Sequence, residues 1–155
     1  MTQQDKELLL KDLCARLHYG VKILHEGWNY EWDDELSTVE RVVGIDDKFI
    51  YTKVIDMHNG EEYRDDKWSV DTFDDKLFLR PMSSMTEEEF AEYEKANDLD
   101  TLDSSETLRE NMKAKHRVRI SKWYHGTDWL NAHHFDYRGL IEKGLAIEAP
   151  KEMYN

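Results

Sequence analysis

The hydrophobic period of this chain changes at Gly20, and this change limits what the chain can fold into. Before it, residues 3–17 carry apolar side chains at helical spacing, on a stripe formed by Leu9, Leu13 and Leu17 with Leu10 and Cys14 beside it. The polar residues Lys6, Glu7, Lys11 and Asp12 are expected on other faces. From Val21 onwards apolar residues alternate with a period of two, which is typical of strands. The sequence therefore predicts an N-terminal helix followed by a β-sheet.

Five or six short strands are predicted up to about residue 80, separated by turn signals. Glu26-Gly27 indicates a hairpin turn, with the aromatic residues Trp28, Tyr30 and Trp32 on one face of the second strand. Asp33-Asp34-Glu35 is predicted to be a loop, and Asn59-Gly60 is a strong tight-turn signal. The remaining strands are expected at residues 38–45, 49–55, 62–70 and 77–79. This spacing favours an antiparallel meander, curled into a small barrel or a strongly bent sheet.

Helices are predicted in the second half of the chain. Thr86 and Glu89 have the spacing of a capping box, so a helix is expected to begin there. Residues 106–119 form a second helix, unless residues 116–122 form a strand instead. Near the end, Thr127 is a candidate N-cap of a short helix. Asp136 is expected to cap a further helix over residues 137–143 that ends at Gly144.

Together these patterns predict an α+β protein: an N-terminal helix, an antiparallel sheet of five or six strands, and C-terminal helices packed on that sheet. A single domain over residues 1–155 is expected from the length, with the sheet at about 19–80 and the helical region at about 86–149.

Composition excludes several classes of protein. The formal charge of −13 disfavours binding to bare nucleic acid and to anionic membranes. A single cysteine, Cys14, cannot form an internal disulfide, which indicates the cytoplasm, and we expect this thiol to lie in the core. No apolar run is long enough to predict a membrane span, and no signal peptide is recognised.

Three segments carry a resemblance. They are Leu13-Cys-Ala-Arg-Leu-His-Tyr-Gly-Val, Leu79-Arg-Pro-Met-Ser-Ser-Met-Thr-Glu-Glu-Glu and Asp128-Trp-Leu-Asn-Ala-His-His-Phe-Asp-Tyr-Arg-Gly-Leu-Ile. These segments resemble short, uncharacterised proteins of gut bacteria and their phages, and the middle of the chain has no counterpart. The resemblance implies a small accessory protein and transfers no catalytic residue.

A metal site is one candidate, because imidazoles and carboxylates gather near the C-terminus. The candidate ligands are His125, His133, His134 and Asp136, with His18 or His25 as helpers from elsewhere. Neighbouring histidines point about 100° apart on a helix, so His133 and His134 do not easily chelate one ion. One histidine packed beside Trp129 and the other in solvent is the alternative interpretation. No cofactor is predicted, and a metal-dependent enzyme is kept as an alternative function.

A basic run near residue 115 is the candidate partner-binding surface. Its members are Lys115, Arg117, Arg119, Trp123 and Tyr124, and Arg138 is added as a clamp for a carboxylate or phosphate. Aromatic and basic side chains together can also grip single-stranded nucleic acid, but the overall acidity argues against this function. Pairing of the run with the acidic residues 87–106, within the chain or across a homo-oligomer, is favoured instead. For Arg138, pairing with a nearby acid such as Asp136 or Glu142 is the favoured interpretation.

Acidic clusters suggest a further alternative. Asp33-Asp34-Glu35, Asp65-Asp66 and Asp71 with Asp74-Asp75 could imitate the phosphates of DNA and inhibit a DNA-binding protein, or they could be solvated loop residues. No enzyme signature is present, since no glycine-rich phosphate loop and no nucleophile elbow is found. We therefore predict a non-enzymatic accessory protein that binds a protein partner in the bacterial cytoplasm, and the resemblance described above implies a phage or mobile-element origin.

Overall fold

The computed structural model describes residues 1–29, 34–56, 58–96 and 124–154, without the side chains of residues 28, 29, 34–36, 124 and 125. The chain divides into two compact units. Unit 1 comprises Met1–Phe78 and Gly144–Ile147, and unit 2 comprises Leu79–Lys143 and Glu148–Asn155. The fold is α+β, as the sequence predicted.

Helix α1 spans Gln3–Arg16 and begins at a capping box that Thr2 and Asp5 form. Leu9 and Leu13 are buried, as expected, and Gly20, in the left-handed conformation with φ 67°, ends the 3-10 turn that follows the helix. The prediction for two other residues was wrong. Cys14 is exposed, and Asp12 is fully buried because its carboxylate bonds the equally buried Arg16 one turn later. A 3-10 turn at Leu17–Tyr19 leads into the sheet.

The sheet has six strands in the order β4-β3-β2-β1-β5-β6. Their bounds are β1 Lys22–Asn29, β2 Asp34–Ile45, β3 Phe49–Ile55, β4 Glu62–Ser69, β5 Lys76–Leu79 and β6 Ala146–Glu148. The first five pair in antiparallel fashion, and the β5–β6 pair is parallel. The sheet is open, so the predicted barrel is wrong: β4 and β6 stand at its two ends.

The predicted turn at Glu26-Gly27 does not exist. Strand β1 runs through both residues, and Gly27 pairs with Leu36 of β2. Asp34 and Glu35, predicted as loop, begin β2, whereas Tyr30 and Trp32 are outside the described residues. Asp46-Asp47 joins β2 to β3. The tight turn predicted at Asn59-Gly60 is confirmed, because Gly60 with φ 74° completes the connection from β3 to β4.

Unit 2 has a core of its own. Helix α2, Glu87–Ala96, begins at the predicted capping box, in which Thr86 and Glu89 exchange hydrogen bonds of 2.9 and 3.2 Å. Helix α3 spans Tyr124–Ala132. The core is formed by the buried side chains Met82, Phe90, Tyr93, Leu130 and Phe135, with Trp129 packed against them. Two short helices are not stable by themselves, so the burial of these rings stabilises their packing.

Two predictions at the C-terminus were wrong. Helix α3 begins at Tyr124, so Thr127 lies within the helix and does not cap it. Residues 137–143 form turns and no helix, because the Asp136 carboxylate accepts the N–H groups of Leu140 and Ile141 and closes a tight loop. Gly144 follows in the predicted left-handed conformation, with φ 70°. The helix or strand predicted over residues 106–122 is not part of the described structure.

Candidate functional site

A group of polar side chains lies on the inner face of the sheet in unit 1, the face on which Ile23, Val42 and Ile50 are fully buried. We call it the inner-face cluster; its members are His25, Glu40, Thr52, Trp68 and Asp75. Strands β1 to β4 each contribute one of these residues, and the fifth comes from the segment that precedes β5. Polar groups at core positions are costly unless they are hydrogen-bonded, so their partners decide what the cluster can do.

Glu40 is the centre of the inner-face cluster and is fully buried. Its Oε2 accepts hydrogen bonds from the Thr52 hydroxyl at 2.6 Å and from the Trp68 indole N–H at 2.8 Å. Its Oε1 accepts the Thr38 hydroxyl at 2.9 Å. Three uncharged donors on three strands therefore replace the water that this carboxylate loses on folding.

His25, which is partly exposed, and the buried Asp75 form a pair beside Glu40. The His25 Nδ1 lies 3.0 Å from the Asp75 Oδ1, and the imidazole stacks on the Trp68 indole with ring centroids 3.8 Å apart. Burial raises the pKa of Asp75 to about 6, a rise that the His25 hydrogen bond opposes and the charges of Glu40 and Asp74 increase. A carboxylate that orients an imidazole can hold or transfer a proton at mildly acidic pH.

The short distance between the stacked rings of His25 and Trp68 also indicates that the sheet is curved. Two strands, β2 and β3, separate β1 from β4, and strands are spaced about 4.8 Å apart. A flat sheet would hold the two backbones roughly 14 Å apart at this spacing. The sheet is therefore concave on the inner face and convex on the outer face.

Gly27 permits this arrangement. A Cβ atom at this position would lie 3.0 Å from the His25 Nε2, a distance that real Cβ contacts essentially never fall below. The imidazole thus crosses the space where a side chain would stand. The glycine that the sequence suggested as a turn is instead a point of close approach within a strand.

A second group of residues lies on the outer face, and we call it the outer patch: Val43, Gly44, Phe49, Tyr51 and Lys67. Val43 is the extra residue of a bulge in β2, and the next residue, Gly44, pairs with Tyr51 on β3. The Tyr51 ring packs over Gly44, where a Cβ atom would be 3.5 Å away. The Lys67 ammonium lies 4.6 Å from the centroid of the Phe49 ring. Val43 and Tyr51 remain 38% and 37% exposed.

Acidic groups lie at one end of the outer patch. Asp46 accepts the Tyr51 hydroxyl at 2.7 Å and the N–H groups of Lys48 and Phe49 at 2.8 and 2.7 Å. The Tyr51 bond and the two backbone bonds lower the pKa of Asp46. The same bond from Asp46 raises the pKa of Tyr51, and the Asp47 charge adds to this rise.

Charged pairs flank the patch on its other side. Glu62 of β4 bonds Arg41 of β2, and Lys53 of β3 lies 3.7 Å from Glu62 and 3.5 Å from Asp65. The Arg41 bond, helped by the charges of Arg41 and Lys53, lowers the pKa of Glu62. The outer face therefore has aromatic and apolar groups in the middle and charges around them.

The predicted metal ligands whose side chains are described make contacts other than with one another. The His133 Nδ1 contacts the Trp129 carbonyl oxygen at 2.9 Å, and its ring stacks on Trp129. His134 is buried against Tyr154, with ring centroids 3.7 Å apart, and Asp136 is committed to its backbone bonds. The side chain of His125 is not among those described. No three His, Cys, Asp or Glu side chains within the described structure are grouped so as to hold a metal ion.

Of the predicted partner-binding residues, only Arg138 has a described side chain. Lys115, Arg117, Arg119 and Trp123, and the side chain of Tyr124, fall in the part of the chain left undescribed. The Arg138 guanidinium lies over the ring of its neighbour Tyr137, 4.9 Å from the centroid. Arg80, which the sequence did not single out, makes a bidentate pair with Glu89 at 2.7 and 2.9 Å.

The predicted acidic clusters do not share one environment either. Asp75 is buried with His25, and Asp66 bonds Arg64 at 2.8 Å. Asp65 and Asp66 belong to strand β4 and are not loop residues. Asp71 is exposed and lies 3.7 Å from Lys6 of α1.

No family model, curated protein or solved structure matches the chain. Among the residues that the structure describes, no helix combines the length and the apolar character needed to cross a bilayer.

Sequence reasoning missed most of the inner-face cluster. His25 was named only as a helper for a metal, Asp75 only as part of an acidic cluster, and Glu40 not at all. A signal was present: Glu40 and Thr52 occupy inward positions of predicted strands, where apolar residues are the rule.

Proposed function

We propose that the chain is a non-enzymatic accessory protein that binds a protein partner through the outer patch. The observation that supports this proposal is the exposure of Val43 and Tyr51, which lie on the neighbouring strands β2 and β3. Large apolar groups that remain exposed side by side on a strand pair are typical of contact surfaces, and tyrosine is enriched at interfaces.

The curvature of the sheet favours a macromolecular partner over a small ligand. Small molecules bind in concave sites that bury most of their surface. The outer patch is on the convex side, where only a second large surface can cover it. Arg41, Lys53 and Glu62 would then form the polar rim that surrounds the apolar centre of an interface.

The charges favour a partner with a basic surface. The protein has a formal charge of −13, and Asp46 and Asp47 stand at the end of the patch next to Tyr51. Opposite charges accelerate encounter and fix orientation more than they add affinity. We therefore expect association to slow strongly as the salt concentration rises.

Photo-cross-linking tests the proposal. A benzophenone amino acid at position 43 is irradiated in a lysate of the cells that encode the protein, and the same group at the exposed position 14 of α1 is the matched control. The expected result is an adduct specific to position 43 that Tyr51→Ser abolishes while circular dichroism shows an intact fold. Equal adducts from both positions, or none from position 43, would contradict the proposal.

A further inference from the structure

Residues 70–75 connect the edge strand β4 to β5 and form a strap from one end of the sheet towards the other. Because the strand order is β4-β3-β2-β1-β5, this short segment passes three strands. Val70 donates its N–H to the Lys48 carbonyl at 2.8 Å, and Phe73 is 4% exposed. At its far end, Asp75 holds His25 of β1. The strap is thus fixed at its start, at its middle and at its end.

Of the three attachments of the strap, only the contact between Asp75 and His25 contains a carboxyl group that titrates near neutral pH. Asp75 faces His25 from β1, Glu40 from β2 and Asp74 of its own segment, and burial raises its pKa to about 6. Trp68 of β4, which covers the imidazole, carries no titratable proton in this range. The other ion pair of the strap, between Asp71 and Lys6, is on the surface.

We propose that the strap is a proton-operated latch: the protonated carboxyl of the buried Asp75, held beside His25, keeps residues 70–75 closed on the sheet at mildly acidic pH, and its ionisation at higher pH favours their opening. The latch rests on the inner-face cluster alone and does not depend on the outer patch or on any partner.

The direction follows from proton linkage. Opening returns Asp75 to water, where its pKa falls towards the ordinary 3.8, so the closed strap binds the proton more tightly than the open strap. The stabilisation of the closed form is complete below pH 3.8 and is lost as the pH rises through about 6. Full rehydration of Asp75 would raise the opening equilibrium constant about tenfold between pH 5 and pH 7.5.

Amide hydrogen exchange measures the latch in the full chain. Protection of residues 70–75, corrected for the intrinsic pH dependence of exchange, should fall about tenfold from pH 5 to pH 7.5. The carboxyl carbon of Asp75 should titrate near pH 6, and the indole N–H resonance of Trp68 should follow the same midpoint. A carboxyl that titrates near 3.8, or protection that does not change, would overturn the proposal.

Three variants separate a latch from a merely structural pair. Asp75→Asn should keep the strap closed and remove the pH dependence of its protection. His25→Gln should raise the midpoint of Asp75, because the imidazole bond opposes the effect of burial. Asp74→Asn, which removes an exposed neighbouring charge, is the control and should lower the midpoint only slightly. A lower midpoint in His25→Gln would contradict the proposed direction.

Discussion

The indole N–H of Trp68 donates a 2.8 Å hydrogen bond to Glu40, a carboxylate with no exposed surface. Trp68 stands on the edge strand β4 and Glu40 two strands further in on β2, so the bond reaches across the pleated surface of β3. The same carboxylate oxygen accepts the Thr52 hydroxyl from that middle strand. One buried oxygen therefore ties three neighbouring strands together on their concave side.

Removal of the Glu40 carboxylate should destabilise unit 1. We expect Glu40→Ala to lower the free energy of unfolding by about 3 kcal/mol, because the indole N–H and the two threonine hydroxyls lose their buried acceptor. Glu40→Gln keeps an acceptor oxygen in place and should cost less. Urea denaturation, followed by circular dichroism, measures both changes.

Glu26→Ala is the matched control for this experiment, because Glu26 is an exposed glutamate on a strand of the same sheet. Its effect should stay within about 0.5 kcal/mol. Equal effects of Glu40→Ala and Glu26→Ala would show that the buried bonds do not hold the strands together.

Substitution of Gly27 tests the packing of His25. A methyl group at position 27 would meet the imidazole Nε2 at 3.0 Å, so Gly27→Ala should displace the ring from Trp68 and change the tryptophan fluorescence. We expect a loss of about 1 kcal/mol in the free energy of unfolding.

The sign of the Gly27 effect should reverse when the ring is absent. In a His25→Ala background, Gly27→Ala should stabilise the protein by about 0.5 kcal/mol, since alanine is favoured over glycine within a strand. A double-mutant cycle isolates this coupling. Additive effects of the two substitutions would show that the close approach has no energetic consequence.

The pair of Asp12 and Arg16 in α1 should be sensitive to the loss of one partner. Both side chains are fully buried, and the Arg16 Nε lies 2.6 Å from the Asp12 Oδ2. Asp12→Ala leaves a buried guanidinium without its carboxylate and should cost about 3 kcal/mol. The double variant with Arg16→Met should recover part of this loss, because an apolar side chain of similar length removes the buried charge.

A matched control for the α1 pair lies on the same helix, where Gln3 and Glu7 make an exposed contact of 3.4 Å with the same spacing. Glu7→Ala should cost no more than about 0.5 kcal/mol in urea denaturation. If the double variant were as unstable as Asp12→Ala alone, burial of the charge would not be the cause.

Features of this fold that depend on residues close together in the sequence could be predicted, and features that depend on distant residues could not. The capping box at Thr86, the left-handed glycines at 20, 60 and 144 and the strand alternation of β3 were predictable, because each depends on residues within a few positions. The barrel was wrong because closure depends on how far β4 curls towards the opposite edge. No local pattern determines that curvature.

The inner-face cluster was hidden for the same reason. His25 and Asp75 are 50 positions apart, and only the pairing of β5 with β1 brings them together. Gly27 looked like a turn because a glycine that makes room for a neighbouring ring has the same sequence signal as a glycine that reverses the chain. Cys14 and Asp12 were misplaced because helical spacing alone cannot predict which stripe a buried ion pair will share.

A titration at high pH can test the contact between Tyr51 and Asp46 on the outer patch. The Asp46 carboxylate accepts the phenol proton, which raises the pKa of Tyr51 above its ordinary 10.0. In Asp46→Asn the phenol should titrate at lower pH, because the charged acceptor is gone and only the weaker influences of desolvation and of the Asp47 charge remain. Absorbance near 295 nm, with Tyr51→Phe subtracted to isolate this phenol, measures the change.

The same contact should also affect how the free energy of unfolding depends on pH in the acid range, where Asp46 titrates. Since the pKa of Asp46 is held below its ordinary 3.8, its contribution to folding is present above that value and is lost as the pH falls through the lowered one. Asp46→Asn should therefore lack this part of the acid dependence of unfolding. Asp47→Asn is the control, because Asp47 adds to the rise in the pKa of Tyr51 by charge alone. It should change both the Tyr51 titration and the acid dependence of unfolding less than Asp46→Asn does. A Tyr51 titration that both variants changed equally would place the phenol away from the Asp46 carboxylate.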